Sequence, residues 1–235
     1  MIFEINNYKT RKYFQDIAFL VRGISNDKTR QFLQCINVET KKNEDNETVY
    51  CVSTNGQIMH IVEYKKEDRP LEDGFYSVSQ NKNDIIVLEK SNENINFPNW
   101  NKIVEQTNEH IKVIEDYDIF FVKNKKDNDF VFLQLVFILN NLGYMLQQDY
   151  LQSFFNLGMY HDKCDVYLSP YQLCSAVKFI SGNCTAIIMP KTIEKTIPIV
   201  FNAFNKLDKT LHKINKEKEL FNESILRKKK YLWED

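Results

Sequence analysis

The sequence has 235 residues, of which 43% are hydrophobic and 27% are charged, and its 31 basic and 32 acidic residues leave a net charge of −1. This length accommodates one large domain or two modest ones, and the balanced charge excludes a global attraction to nucleic acid or membrane, so any DNA contact must come from a local basic patch. No apolar run approaches the ~18 residues of a membrane span and the chain begins without a signal-peptide pattern, so we expect a cytoplasmic protein with no membrane partner.

The first half of the chain predicts a strand, a helix and then a series of strands. The short strand MIFEI precedes residues 8–24, where Tyr13, Ile17 and Leu20 recur at helical spacing and Gly23 is positioned as a C-cap. Further strand patterns lie at residues 30–40, 75–79 and 84–90.

Residues 49–64, VYCVSTNGQIMHIVEY, predict a β-hairpin. Two apolar strands meet at Thr54-Asn55-Gly56, and Asn-Gly is the strongest short hairpin signal because both residues tolerate the positive φ of a type I′ turn. We therefore expect a turn centred on Asn55 and Gly56. A hairpin turn needs only polar flanking residues, but here the apolar pair Ile58 and Met59 follows it. This apolar pair makes the turn a candidate binding site.

The second half opens with the best candidate for a domain boundary. Residues 91–110, SNENINFPNWNKIVEQTNEH, are rich in Asn and contain a Pro. A strand pattern follows at residues 111–124, and the apolar run at 130–139 fits either a buried strand or the start of a helix. The pattern then predicts a helix at 148–158 and three short strands at 164–170, 173–181 and 184–190.

These patterns together predict an α+β fold of two domains followed by a helical tail. The domains are residues 1–97 and 107–193, with a linker at 98–106 between them and an amphipathic helical tail at 194–235. The tail is predicted to be helical because apolar residues step by four and three along it. These residues are Val200, Phe204, Leu207, Leu211 and Ile214.

No enzyme signature is present: the sequence lacks a Gly-rich phosphate loop, a G-x-S-x-G turn and an H-E-x-x-H pair. We therefore expect no catalytic residue, no metal and no cofactor, with an enzyme of unrecognised type as a minor alternative. The five cysteines are odd in number and form no C-x-x-C pair, which predicts buried thiols in a reducing compartment. His161 and Cys164 share a segment, but no second ligand pair lies nearby to complete a zinc site.

The exposed face of the first predicted helix is basic. It carries Lys9, Arg11, Lys12 and Arg22, which could contact DNA phosphates without sequence preference. An ordinary solvated helix face is the alternative interpretation of the same four residues.

Several segments resemble the bacterial sliding clamp, the β subunit of the replicative polymerase, and they occur in the family's order. The hairpin Ser53–His60 stands where the family has A-T-D-G-x-R-L-A, and FPNWNKIV at 97–104 resembles its F-P-D-Y-x-x-V-(L/I)-P linker. Residues 148–158, 164–170 and 184–193 resemble the end of the family's last domain, a Y-L-x-x-x-L helix and a strand before V-V-M-P-M-R-L.

The sequence departs from the family pattern at identifiable positions. Asn55 replaces the hairpin Asp, Ile58 follows where an Arg is expected, and Glu105 replaces the final Pro of the linker. Lys191-Thr192-Ile193 replaces the closing M-R-L. Only two clamp-like domains fit this chain, where the bacterial clamp has three.

The resemblance implies two clamp-like domains and an apolar pocket that accepts a short peptide of Gln-plus-Leu-Phe type from polymerases and other partners. Apolar walls and a flexible Met are suited to bind a peptide anchor. The alternative is that the residues implied to form the pocket belong to an ordinary hairpin and core strands. The residues implied to form the pocket are Thr54, Gly56, Gln57, Ile58, Pro98, Lys102, Ile103, Ile187, Met189 and Pro190.

The function implied is that of a DNA sliding clamp or processivity factor, which encircles duplex DNA and tethers a polymerase. The family's rings contain six domains, so a closed ring of this chain would be a homotrimer. The alternative is an adaptor that keeps the fold, binds other proteins and does not bind DNA. The tail could fold back over the pocket, pack on the body of the protein, or pair with another chain.

Overall fold

The structure is a computed structural model that describes residues 2–42, 46–82, 84–93, 95–118, 163–170 and 175–190, with several positions between 135 and 151. The predicted tail at 194–235 lies outside the described residues, as do His161, Cys174 and most of the predicted helix at 148–158. Within the described part, no helix is long and apolar enough to cross a membrane.

Ten strands and two α-helices make up the described fold. The strands are β1 (Ile2–Asn6), β2 (Cys35–Lys42), β3 (Glu47–Thr54), β4 (Ile58–Lys65), β5 (Gly74–Lys82), β6 (Ile85–Lys90), β7 (Ile111–Asp118), β8 (Lys163–Leu168), β9 (Val177–Ser181) and β10 (Cys184–Ile188). The helices are α1 (Arg11–Gly23) and α2 (Trp100–Gln106), and single 3₁₀ turns lie at Gln31–Leu33 and Lys66–Asp68.

All ten strands belong to one antiparallel sheet, in the order β1-β6-β5-β2-β3-β4-β10-β9-β8-β7. The two halves of the chain join where β4 pairs with β10, with Ile61 opposite Thr185 and Met59 opposite Ile187. The predicted α+β fold of antiparallel strands and few helices is confirmed. The division into domains at 97 and 107 stays a prediction.

The strand period of two separates the sheet into two faces along the central strands. On one face, α1 packs on β3 and β4 through a core that includes Ile17, Leu20 and Val62. On the opposite face, Trp100 of α2 packs in a second apolar cluster with Val52 and the strand residues Met59, Ile61 and Ile187. Each face is therefore buried by a different helix.

Two buried hydrogen bonds to carbonyl oxygens of α1 help to fix this helix on the sheet. Ser53 Oγ donates to the Leu20 carbonyl oxygen at 2.6 Å, and His60 Nδ1 lies 2.7 Å from that of Phe19. A carbonyl can only accept, so Nδ1 of His60 carries the proton. Burial lowers the pKa of His60 to about 3, so the ring is neutral near pH 7. The ring also stacks on Phe19 at a centroid distance of 3.9 Å.

Asp16 of α1 joins both halves of the sheet through buried contacts. Its carboxylate accepts hydrogen bonds from Tyr64 at 2.7 Å and from Asn183 Nδ2 at 3.3 Å, and the Cys184 thiol lies 3.8 Å away. Because an unpaired buried carboxylate is costly, these donors stabilise the placement of β10 beside β4. Burial raises the pKa of Cys184, so its thiol stays protonated.

The hairpin turn lies one residue later than the sequence pattern predicts. Thr54 pairs with Met59 and Asn55 N–H donates to the Ile58 carbonyl oxygen, so Gly56 and Gln57 are the central residues. Gly56 adopts a φ of +90°, whereas the prediction placed Asn55 at the first central position. Asn55 is displaced from the centre because its side-chain oxygen accepts from two later backbone N–H groups, as an Asx-turn requires.

Other differences concern the ends of elements and one additional helix. The predicted strand at 30–40 begins with a 3₁₀ turn and becomes β2 only at Cys35. Within the ambiguous run at 130–139, the described residues Leu135, Val136, Ile138 and Leu139 are helical. The boundary segment at 91–110 contains α2, which the sequence pattern does not predict.

Candidate functional site

A cavity of about 810 Å³ lies at the end of the hairpin, where segments from distant parts of the sequence meet. The hairpin tip, the stretch from Pro98 through α2 to His110, and the end of β10 form its walls, with Ser169, Ser175 and Ala176 completing them. This volume falls in the range of sites that bind small molecules or short peptide segments.

The hairpin wall is held rigid by hydrogen bonds within the turn. Thr54 Oγ1 donates to the Ile58 carbonyl oxygen at 2.7 Å and accepts from the Gly56 N–H at 3.1 Å. Asn55 Oδ1 accepts from the N–H groups of Gln57 and Ile58 at 2.9 and 3.0 Å. The side chains of Thr54 and Asn55 thus provide hydrogen-bond partners for backbone groups of the turn, while Ile58 and Met59 line the cavity.

The end of β10 is fixed to the same turn. Met189 N–H donates to the Gln57 carbonyl oxygen at 2.8 Å, one residue beyond the last strand pair of β10 with β4. Ile58 and Ile187 are almost completely buried, whereas Met189 remains 46% exposed. Met189 is therefore the accessible apolar side chain of this wall.

Helix α2 is anchored by its first residue. Trp100 is buried, its indole N–H donates to Glu39 Oε2 at 3.1 Å, and the Lys41 ammonium lies 3.9 Å from the ring centroid. The Asn99 side chain caps the helix by accepting from the Lys102 N–H at 3.3 Å. An isolated helix of seven residues would not be stable, so this tertiary packing holds the wall in place.

The structure brings most of the sequence-predicted pocket residues to this one cavity. Eight line it: Thr54, Gly56, Gln57, Ile58, Pro98, Ile103, Ile187 and Met189. The other two, Lys102 and Pro190, are not among the lining residues. Lys102 is exposed on α2, and Pro190 follows Met189 at the end of the described segment.

One wall of the cavity was missed by sequence reasoning. It consists of Glu105, Gln106, Thr107, Glu109 and His110, and Met59 and Ala176 were missed as well. The linker motif reaches Glu105, where this chain departs from the family's Pro, and no sequence signal identified the rest of this wall because α2 was not predicted. Met59 could have been found, because it directly follows the predicted pocket residue Ile58.

Two residues that line this cavity each have a buried polar atom without a hydrogen-bond partner among the described residues, namely His110 Nδ1 and Ser175 Oγ. Burial, followed by the nearby charge of Lys178, lowers the pKa of His110, so its ring is neutral near pH 7. A neutral His and a Ser hydroxyl can each exchange hydrogen bonds with a bound polar group. In the described ranges no cluster of His, Cys, Asp or Glu could hold a metal ion.

The four predicted DNA-facing residues lie at the two ends of α1. Lys9 is exposed just before the helix, Arg11 and Lys12 begin it, and Arg22 is exposed in its last turn. The rise of about 1.5 Å per residue separates Lys12 from Arg22 by roughly 15 Å along the axis. Between these ends the helix is largely buried, so the basic residues form two groups rather than one stripe.

No protein-family model and no curated protein sequence matches this chain. Solved structures of bacterial sliding clamps do match it. The polymerase III β protein of Caulobacter crescentus matches with a TM-score of 0.53 and 10% identity, over 82% of this chain and 66% of that chain. A β sliding clamp structure from the same organism gives 0.52 with the same identity and coverage. A third structure from this organism, titled DNA polymerase sliding clamp, gives 0.50 at 10% identity over 82% of this chain and 65% of that one.

The chain therefore has the fold of a bacterial sliding clamp, and the clamp-fold resemblance drawn from the sequence is confirmed. It spans slightly less than two thirds of the length of these clamps. Because one fold can carry unrelated functions, its activity has to be argued from the site.

Proposed function

We propose that this chain, which has the fold of a sliding clamp, acts as a clamp-like processivity factor without catalytic activity. It surrounds duplex DNA as a homo-oligomer and holds a polymerase or another partner through a short peptide. The observation that carries the proposal is the cavity, which is built from the hairpin tip, the segment around α2 and the end of β10 on a clamp fold.

The chemistry of the cavity suits a peptide anchor. Ile103 and exposed Met189 supply accessible apolar surface, and the almost completely buried Ile58 and Ile187 fix the wall behind them. The flexible side chain of Met189 can adapt to different partners. Preorganised walls reduce the ordering cost of binding, which helps a short peptide bind with useful affinity. This combination supports a role in holding several partners in turn.

Assembly into a ring is supported by the outermost strands of the described sheet. Within the described residues, β1 pairs only with β6 and β7 pairs only with β8. Ile2 on β1 is 68% exposed, and Ile111 and Val113 on β7 are also exposed. Exposed apolar edge strands favour pairing with another chain, and cyclic repetition of such a contact closes a ring.

Peptide binding tests the cavity directly. A fluorescein-labelled peptide with a Gln-Leu-Phe core is titrated with the full chain, and binding is followed by fluorescence anisotropy. Met189→Ala is expected to weaken binding by about 1–2 kcal/mol, as loss of an interface anchor does. Stability should change little because the side chain is partly exposed.

The matched control is Tyr8→Ala, which removes another exposed apolar side chain from a turn outside the cavity lining and should leave the affinity unchanged. Absence of titratable binding, both in the full chain and in a chain truncated after Ile193, would show that the cavity is not a peptide site.

Encirclement of DNA is tested by topology. A ring should remain bound to a nicked circular plasmid at high salt and be released when the plasmid is cut once, because only the ends allow it to slide off. Electrostatic binding would instead be lost with rising salt on both substrates.

The second candidate is an adaptor that does not bind DNA. It is favoured by the net charge of −1 and by the separation of the basic residues into two groups at the ends of α1. Peptide binding without retention on the circular plasmid would select the adaptor over the clamp.

A further inference from the structure

The wall formed by α2 and the turn after it gives the cavity an acidic end. Among the lining residues that the structure describes, Glu105 and Glu109 are the fully charged ones, and both are exposed. Neither carboxylate forms an ion pair within the described part of the chain. Both charges are therefore accessible to a bound partner.

The nearby cationic groups do not neutralise this end from within the cavity. Lys178 does not line it; its ammonium donates to the Thr107 carbonyl oxygen at 3.1 Å and lies 5.1 Å from the Tyr167 ring centroid. Lys102 is exposed on α2 outside the lining, and His110 is neutral near pH 7. The fully charged side chains among the described lining residues are thus both acidic.

The lining of this cavity also holds unsatisfied hydrogen-bonding capacity. In the described residues only three buried side-chain atoms lack a partner, and two of them, His110 Nδ1 and Ser175 Oγ, belong to residues of this cavity. Buried polar groups are normally paired, so these two groups can exchange hydrogen bonds with a ligand or with water. Backbone N–H and C=O groups of an extended peptide are suitable partners.

We propose that the partner peptide carries a lysine or arginine beside its apolar anchor, and that Glu105 and Glu109 select it. The apolar anchor contacts Ile58, Ile187 and Met189, and the cationic side chain lies at the acidic end of the cavity. This specificity rests on the proposed peptide-binding function.

The test compares three labelled peptides that share a Gln-Leu-Phe core and differ only in flanking residues: lysine, serine or glutamate. They are titrated into the full chain, into Glu105→Gln/Glu109→Gln, and into Glu67→Gln as a control. Gln keeps the size of the side chain and removes its charge, and Glu67 is exposed on the Lys66–Asp68 turn outside this cavity.

The lysine peptide is expected to bind the unmodified chain about tenfold more tightly than the glutamate peptide at low salt, and the difference should shrink as salt screens the charges. The double variant should reduce that preference to about twofold, whereas the control should keep it. Equal binding of all three peptides to the unmodified chain would overturn the selectivity and leave the peptide site standing. Failure of all three to bind would instead contradict the proposed function itself.

Discussion

Replacing Gly23 with Ala tests how closely α1 approaches the sheet. A Cβ atom at this position would lie 2.4 Å from Ser53 Oγ and 3.0 Å from His60 Nδ1. Neither neighbour can move freely, because Ser53 donates to Leu20 and His60 to Phe19, and both side chains are fully buried. The added methyl group therefore has to displace a hydrogen-bonded side chain.

The expected cost follows from the competing effects. Ala is favoured over Gly within a helix by at most about 1 kcal/mol, and by less at the last residue. Against this, the Ser53 hydrogen bond is worth about 1 kcal/mol and a buried hydroxyl left without a partner costs a further 1–3 kcal/mol. Gly23→Ala should therefore lower the free energy of unfolding by about 2 kcal/mol.

Urea unfolding followed by far-ultraviolet circular dichroism measures this change in a double-mutant cycle with Ser53→Ala. Removing the hydroxyl relieves the closest overlap, so the double variant should be more stable than the sum of the single effects predicts, by about 1 kcal/mol or more. An increase in stability for Gly23→Ala alone, or additivity of the two changes within about 0.5 kcal/mol, would refute this account of the contact.

Three further predictions concern pH, the tail and assembly. The pKa of His60 in the folded protein lies below its ordinary value, so on acidification the unfolded state takes up the proton first. Between about pH 7 and pH 5, the free energy of unfolding should therefore fall by about 2 kcal/mol more in the unmodified chain than in His60→Asn. Urea titrations of both proteins at each pH measure this difference. The 42 residues of the tail at 194–235 carry ten basic and seven acidic side chains. If this tail competes for the cavity, truncation after Ile193 should raise peptide affinity about tenfold, as measured by anisotropy. Light scattering should give about 84 kDa, three chains of 28.0 kDa each.

Each of these three predictions has an outcome that contradicts it. An equal pH dependence of the free energy of unfolding in the unmodified chain and in His60→Asn would mean that burial does not hold the His60 ring neutral. Unchanged peptide affinity in a well-folded truncated chain would show that the tail does not compete with the peptide for the cavity. A stable monomer at micromolar concentration would count against ring closure, and a dimer would require either an open assembly or a different number of domains.

Local patterns were sufficient for most strands and for α1. Two apolar runs joined by Asn-Gly along residues 49–64 predicted β3 and β4, and the helical spacing of Tyr13, Ile17 and Leu20 predicted the helix that packs on them. The match of short motifs to a known clamp, in the same order, also selected eight residues that the structure brings to one cavity. These features are encoded locally because burial of one face imposes a period of 2 or 3.6 on neighbouring residues.

The sequence did not predict features that depend on groups distant along the chain. Helix α2 forms because Trp100 is buried on the sheet and bonded to Glu39, 61 positions away, rather than through intrinsic propensity. The helical spacing that predicted α1 gave no role to Asp16, which the structure shows as a buried acceptor for Tyr64 and Asn183.

Local patterns and family motifs predicted the class of the fold, the positions of most strands and several apolar residues of the cavity, but missed Met59 and Ala176. The pairing of β10 with β4, the turn at Gly56 and Gln57, and the place of Glu105 and Glu109 in the cavity wall became evident only from the folded chain. The physical reason is that pairing register and the burial of polar groups depend on partners supplied by distant segments, and periodicity within one segment carries no record of those partners.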